Sequence, residues 1–132
     1  MSEWIAALSN PKPIQAIYGD VLPVLDEVRV EEICLSVNGP LFRLRFDLVE
    51  FPVNPPAKWR LDGLDVVQVE IAFGGVRAIS IVEFTADSVC DLKIRKDGLV
   101  SFSGESDSVK FQGAADTATI LRVSAYAKGG AC

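Results

Sequence analysis

The side chains in this chain that could carry chemistry are few, and their types narrow what that chemistry can be. There is no histidine. That removes the commonest general base, the usual partner of a serine or cysteine nucleophile, and the commonest metal ligand. Carboxylates stand close together at Asp26/Glu27, Glu31/Glu32 and Asp62/Asp65. Glycosidic hydrolysis needs two carboxyls facing across a cleft roughly 5–10 Å apart, whereas adjacent residues of a strand point to opposite faces. These acids read as solvated surface charge unless a bulge turns Glu31 and Glu32 together. Cys34, Cys90 and Cys132 have no zinc spacing, and neither Cys34 nor Cys90 has an evident activating base. Gly74-Gly75 lies between two strand-like runs rather than before a helix, so it reads as a hairpin turn and not a phosphate cradle. Gly104 to Ser108 reads as a polar turn. The expectation is a protein that is not an enzyme, holds no metal or cofactor, and works by binding a partner.

Charge says something about that partner. The net charge of −5 opposes non-specific nucleic-acid binding, which relies on Lys and Arg displacing counterions from phosphates. It also opposes adsorption to an anionic membrane. Acid is concentrated early: Glu3, Asp20, Asp26, Glu27, Glu31 and Glu32 fall in the first 35 residues against only Lys12 and Arg29. Such asymmetry points to an interaction face for a basic partner, and the alternative is a surface that only keeps the protein soluble. The candidate partner-binding residues are Asp20, Asp26, Glu27, Glu31 and Glu32, with Asp62 and Asp65 second. The segment Phe42-Arg43-Leu44-Arg45-Phe46 interleaves aromatic and basic residues as a nucleic-acid binder would. Strand alternation separates them, however, placing the aromatics in the core and the arginines outside, paired with neighbouring acids.

The elements that must position these residues follow from periodicity. Ser2 can cap a short helical turn carrying Trp4, Ile5 and Leu8. Asn10-Pro11 opens a second helix, Asn accepting from an orphan N–H. Ile14, Ile17 and Tyr18 form one face of it, and Gly19 stops it. From Val28 the period becomes two, and its frame shifts between Val30 and Ile33, as a bulge near Glu31-Glu32 would cause. Asn38-Gly39-Pro40 is a turn. Phe42, Leu44, Phe46 and Leu48 then face the core, opposite Arg43, Arg45 and Asp47. Phe51 to Trp59 is a Pro-rich rigid loop. Val67, Val69, Ile71 and Phe73 form a strand that Gly74-Gly75 turns back into Val76, Ile79 and Ile81. Shorter strands follow around Cys90–Ile94, Val100–Phe102 and Val109–Phe111, with Asp97-Gly98 as a hairpin dipeptide, and Thr117–Ala127 closes the fold. Lys128 to Cys132 reads as a frayed tail.

The sum is an α+β, mostly β, single domain over 1–132. Its helical N-terminal segment (1–25) packs on an antiparallel sheet or sandwich of about eight strands (28–127). Unpaired thiols, the lack of a signal-peptide pattern, and the lack of any apolar run near the roughly 20 residues of a membrane span favour a cytoplasmic location.

Taken in order, Trp4-Ile5-Ala6-Ala7-Leu8, Ile17-Tyr18-Gly19-Asp20, Asn38-Gly39-Pro40, Arg43-Leu44-Arg45-Phe46-Asp47, Phe51-Pro52, Pro55-Pro56-Ala57-Lys58-Trp59 and Val67-Gln68-Val69-Glu70-Ile71 form a series. It resembles the immunity protein 50 family of bacterial polymorphic toxin systems, from about Trp4 to Ile81. Where that family's pattern has Gly-Trp, this chain has Val82-Glu83-Phe84. The resemblance implies an antidote that binds a cognate toxin domain in the bacterial cytoplasm and blocks it. It prescribes no catalytic residues, and it carries over no toxin-binding ones. If the toxin is a nuclease, its site is basic and the acidic residues above would meet it, with the protein a monomer or weak dimer. The rival from the residues alone is a β domain holding an apolar small molecule, which requires a large apolar cavity. A third is a module that associates through an exposed strand edge.

Overall fold

The structure is a computed structural model that describes residues 3–128. The expected Ser2 cap and the tail from Gly129 to Cys132 lie outside the described residues. Three short helices, α1 (Glu3–Ala7), α2 (Lys12–Tyr18) and α3 (Ala57–Leu61), accompany six strands: β1 (Val28–Ser36), β2 (Leu41–Asp47), β3 (Val66–Phe84), β4 (Val89–Asp97), β5 (Leu99–Glu105) and β6 (Val109–Tyr126). The strands form one antiparallel barrel in the order β1-β2-β3-β6-β5-β4. The fold is mostly β, as expected, but with six strands rather than about eight. It is a barrel, not an open sheet or a two-layer sandwich.

Both lost strands have one cause. β3 runs straight through Gly74-Gly75, and β6 runs beside it from Val109 to Tyr126, so each absorbs two of the expected strands. The glycine pair is not a hairpin turn. It is a corner where two long strands pass from one half of the barrel to the other. Before it, β3 pairs with β2 up to Leu41↔Gly74; beyond it, β6 pairs with β5 from Val100↔Ala115. Gly75 has φ +64°, and a Cβ there would collide with the Asp116 side chain. A Cβ on Gly74 would stand 2.9 Å from Thr117 Oγ1. Arg77 is then an extra residue in the β3–β6 register, the bulge that usually marks such a bend.

The interior is filled by residues that alternation selects. Phe42, Leu44, Phe46, Val67, Val69, Ile71 and Phe73 are all fully buried. Phe73 stacks on Phe102 with centroids 4.1 Å apart, and Phe42 lies 4.9 Å from Phe102 and 5.9 Å from Phe111. Together these rings tie the two halves of the barrel through its centre. The expected bulge in β1 is present: Glu31 is the extra residue between Val30↔Phe46 and Glu32↔Arg45. Among the described residues, closure rests on Val28↔Cys90 and Arg29↔Val89, extended by the Val30 N–H donating to the Ser88 carbonyl (3.1 Å).

Past the corner β6 loses β5 as a neighbour, and the α1–α2 connection covers the exposed edge. The Ser9 N–H donates to the Ala118 carbonyl (2.8 Å). Asn10 behaves like a strand peptide, its Nδ2 donating to the Ile120 carbonyl (2.9 Å) and its Oδ1 accepting the Ile120 N–H (2.7 Å). The helix N-cap is instead Pro11, without a side-chain bond. Asn10 therefore satisfies a sheet edge rather than a helix end. α2 does bury Ile14 and Tyr18, and Gly19 ends it with φ +63°. The segment expected as an unbroken loop from Phe51 to Trp59 contains the start of α3, for which Pro56 supplies the N-cap.

Asn10→Ala removes both bonds to Ile120 and leaves two polar groups at a partly covered edge. Unfolding in urea should show a loss of about 1–3 kcal/mol, and Asn10→Asp, which keeps the acceptor but loses the donor, should lose stability as well.

Candidate partner-binding surface

The outer face of β1-β2-β3-β6 is a lattice of matched charge. Register places Glu32, Arg45, Glu70 and Arg122 in one row across the four strands, alternating in sign. The Arg45 Nε lies 3.9 Å from Glu32, and the Arg43 Nε lies 3.7 Å from Glu70. Both distances exceed a hydrogen bond, so both buried Nε groups are without a hydrogen-bond partner. These pairs hold strand neighbours in register for a few tenths of a kcal/mol each. Glu32 is therefore partly neutralised by Arg43 and Arg45 while its side chain stays about half exposed.

Glu31, pushed outward by the bulge, sits against Asp47. Asp47 is buried, accepts from Gln68 Nε2 (2.9 Å), and accepts a short hydrogen bond from the Tyr126 hydroxyl. Partial desolvation, then the Asp47 carboxylate, push the Glu31 carboxyl above the usual glutamate range, against smaller opposing effects of Arg29 and Arg45. Burial, then the bond to Asp47, push the Tyr126 phenol up as well. Asp47, Gln68 and Tyr126 thus form a hydrogen-bonded seam in the sheet's face, with Glu31 beside it.

The remaining acids divide by position. Asp20 is an exposed residue just beyond α2, and Asp62 caps α3 at its C-terminal end. Asp65 accepts the Lys128 N–H (2.9 Å). Asp65 and Glu27 line one cleft of about 280 Å³ together with Arg29, Asp47 and Tyr126. Asp26 lines a shallower one beside Glu3 and Lys93. Glu27 and Val89 continue into an adjoining cleft of about 300 Å³, where Asp91, Glu105 and Asp107 complete a wall containing no basic residue.

This last cleft is where the structure gathers the most acid, although Lys110 stands opposite Glu105 on β6. Glu27 is the one non-glycine described residue at positive φ (+53°), a conformation that costs roughly 1–2 kcal/mol. Its N–H is held at 2.9 Å by Asp91 Oδ1. Asp91 and Glu105 are directly opposed across β4–β5, a like-charge pairing that sheets ordinarily avoid. Backbone strain and opposed carboxylates therefore meet at one point of the surface. Of the sequence candidates, Glu27 belongs to this cleft, and Asp26 precedes it in the same turn. Glu31 and Glu32 lie on the lattice instead, while Asp20 and Asp62 line none of these clefts. Asp91, Glu105 and Asp107 were not candidates, because only the hairpin register brings them to Glu27.

Burial, then Asp91, push the Cys90 thiol up to about 11, which keeps it protonated and weakly nucleophilic at neutral pH. Among the described residues, no group of three His, Cys, Asp or Glu side chains is placed to hold a metal ion, and no helix is long and apolar enough to cross a membrane. A cleft of about 420 Å³ on the outer face of β3-β6-β5-β4 has a mostly apolar surface made by small residues with Ile79 and Phe102, and Lys93 and Arg95 stand at one side.

A family model described as Immunity protein 50 matches residues 10–126, so the similarity continues well past Ile81 through the last strand. No curated protein and no solved structure matches the chain.

Two measurements check the electrostatics. Asp91→Asn removes the repulsion with Glu105 while keeping an acceptor for the Glu27 N–H and leaving Lys110 opposite Glu105, and it should raise the unfolding free energy by about 0.2–1 kcal/mol at low salt, the gain shrinking as salt is added. Glu31 binds its proton more tightly folded than unfolded, so its contribution is complete below the ordinary glutamate range and is lost as pH rises through the raised value. The stability of Glu31→Gln relative to the parent should therefore grow between about pH 4 and neutrality in urea unfolding.

Proposed function

The chain belongs to the immunity protein 50 family, and we propose from that membership that it binds a cognate toxin domain and neutralises it in the bacterial cytoplasm. The family match carries the reading. It suggests an immunity protein, a role of binding rather than turnover. In this reading the chain over 1–132 acts as a single domain, with no cofactor and no nucleic acid or membrane as its partner.

The surface proposed for the toxin is the acidic wall around Glu27: Asp26, Glu27, Asp91, Glu105 and Asp107, with Asp65 at its margin in the adjoining cleft. Carboxylates converging in a cleft focus a negative potential, which speeds encounter with a basic partner and gives desolvated charge pairs on contact. A nuclease fits best, since a site that binds phosphates is itself basic and an acidic wall can occupy it. The Glu31 and Glu32 carboxylates contribute to the field but are committed to Arg43, Arg45 and Asp47. Asp20 and Asp62 are peripheral in this scheme. An apolar small-molecule site gains no support, because Phe42, Phe73, Phe102 and Phe111 fill the interior that would have to hold it.

The test is co-expression with the toxin domain encoded beside this gene. Cells should survive only when the chain is present, and the two proteins should co-purify; survival without a physical complex would sink the reading. Reversing charge at Asp26 and Glu27 together should weaken binding at least tenfold, equivalent to about 1.4 kcal/mol, mostly through a slower and less salt-dependent association rate. Unchanged binding would remove this wall from the account.

A further inference from the structure

β2 ends its pairing with β3 at Gly74, so among the described residues the stretch of β3 from Arg77 to Phe84 has β6 on one side and no strand on the other. Other edges of the barrel are managed. Ser9 and Asn10 cover β6. Leu25 takes the Leu92 N–H of β4. β1 meets its open side with a bulge and two glutamates. The free part of β3 carries two bulges and the charges of Arg77 and Glu83 at its ends, but between them Ala78–Ile81 has neither charge nor proline, and Ile81, Val82 and Phe84 are 41%, 73% and 47% exposed. An apolar, unpaired strand is a template for another strand.

We propose that this edge pairs with the same edge of a second copy, antiparallel about a two-fold axis at Ser80. The sequence is self-complementary in that register. Ser80 meets Ser80, Ile79 meets Ile81, Ala78 meets Val82, and Arg77 meets Glu83. The charges also continue a series already present within each copy, because Glu83 is opposite Lys110 and Arg77 Nε is 2.9 Å from Asp116 Oδ1. Across the interface the signs then run Lys110, Glu83, Arg77, Asp116 without a like pair. The uncharged row Ser103, Gln112, Ser80 meets its own copy at the axis, joining two four-stranded faces into one of eight strands. Bulges at Arg77 and Val82 limit the regular ladder to Ile79–Ile81, with the Ala78–Val82 and Arg77–Glu83 approaches made by side chains beyond it, so the association is weak, and a two-fold contact closes on itself rather than growing a fibre.

Light scattering should show the mass rising from one copy toward two as concentration is raised from about 10 μM to about 1 mM. Ser80→Lys, at an exposed position, opposes two cations on the axis and should return the protein to one copy with unchanged circular dichroism. With Cys34 and Cys132 replaced by serine, Ser80→Cys should cross-link to a dimer under mild oxidation, and Ala78→Cys should not. One-copy mass throughout, or equal cross-linking at both positions, overturns the proposal. So does amide protection at Ala78–Ile81 that arises only when the toxin is added, since the edge would then belong to that partner.

Discussion

A barrel of this size has to bend somewhere, and here the bend is forced on the two longest strands. β3 and β6 lie side by side along sixteen register pairs, yet β2 flanks one end of that ribbon and β5 flanks the other. The two ends can enclose a common interior only if the ribbon turns a corner. The corner needs backbone that can reach positive φ and approach its neighbour without a Cβ, which is what Gly74 and Gly75 provide against Asp116 and Thr117. The four-phenylalanine centre depends on this geometry. Phe42 and Phe73 come from one side of the corner, Phe102 and Phe111 from the other, and an unbent ribbon would hold them apart.

The bend also distributes the unfinished edges. β6 emerges from it without β5, and β3 emerges from it without β2. The first edge is satisfied by Ser9 and Asn10, which places the helical N-terminus against the barrel and turns a local capping residue into a long-range tie. The second is left open and apolar. The same constraint that closes the core thus creates one covered edge and one available one.

Electrostatics divides the surface in a comparable way. On β1-β2-β3-β6 the charges alternate along cross-strand rows and largely cancel. Around Glu27 they cancel less completely: a strained backbone and opposed carboxylates on β4 and β5 occur together, with Lys110 opposite Glu105 as the neighbouring base. In the proposed reading the toxin would supply further countercharge there, while the matched lattice and the aromatic centre carry stability.

Much of this was legible in the residues alone. Period-two alternation identified the inward faces of Phe42–Leu48 and Val67–Phe73, a shifted frame located the bulge at Glu31, and three- and four-residue spacing found the face of α2 that buries Ile14 and Tyr18. These are local properties, set by where successive side chains point. Whether Gly74-Gly75 reverses a strand or bends it is not local. Both outcomes need glycine, and the choice is made by Asp116 and Thr117, some forty residues away. The same holds for Asn10, whose side chain suits a helix cap as well as a sheet edge until Ile120 stands beside it. The acidic bias of the first third was visible too, but Asp91, Glu105 and Asp107 joined Glu27 only through the register of β4, β5 and β1. Alternation is written in neighbouring residues, whereas corners, edges and charge clusters are made by residues that meet across the barrel.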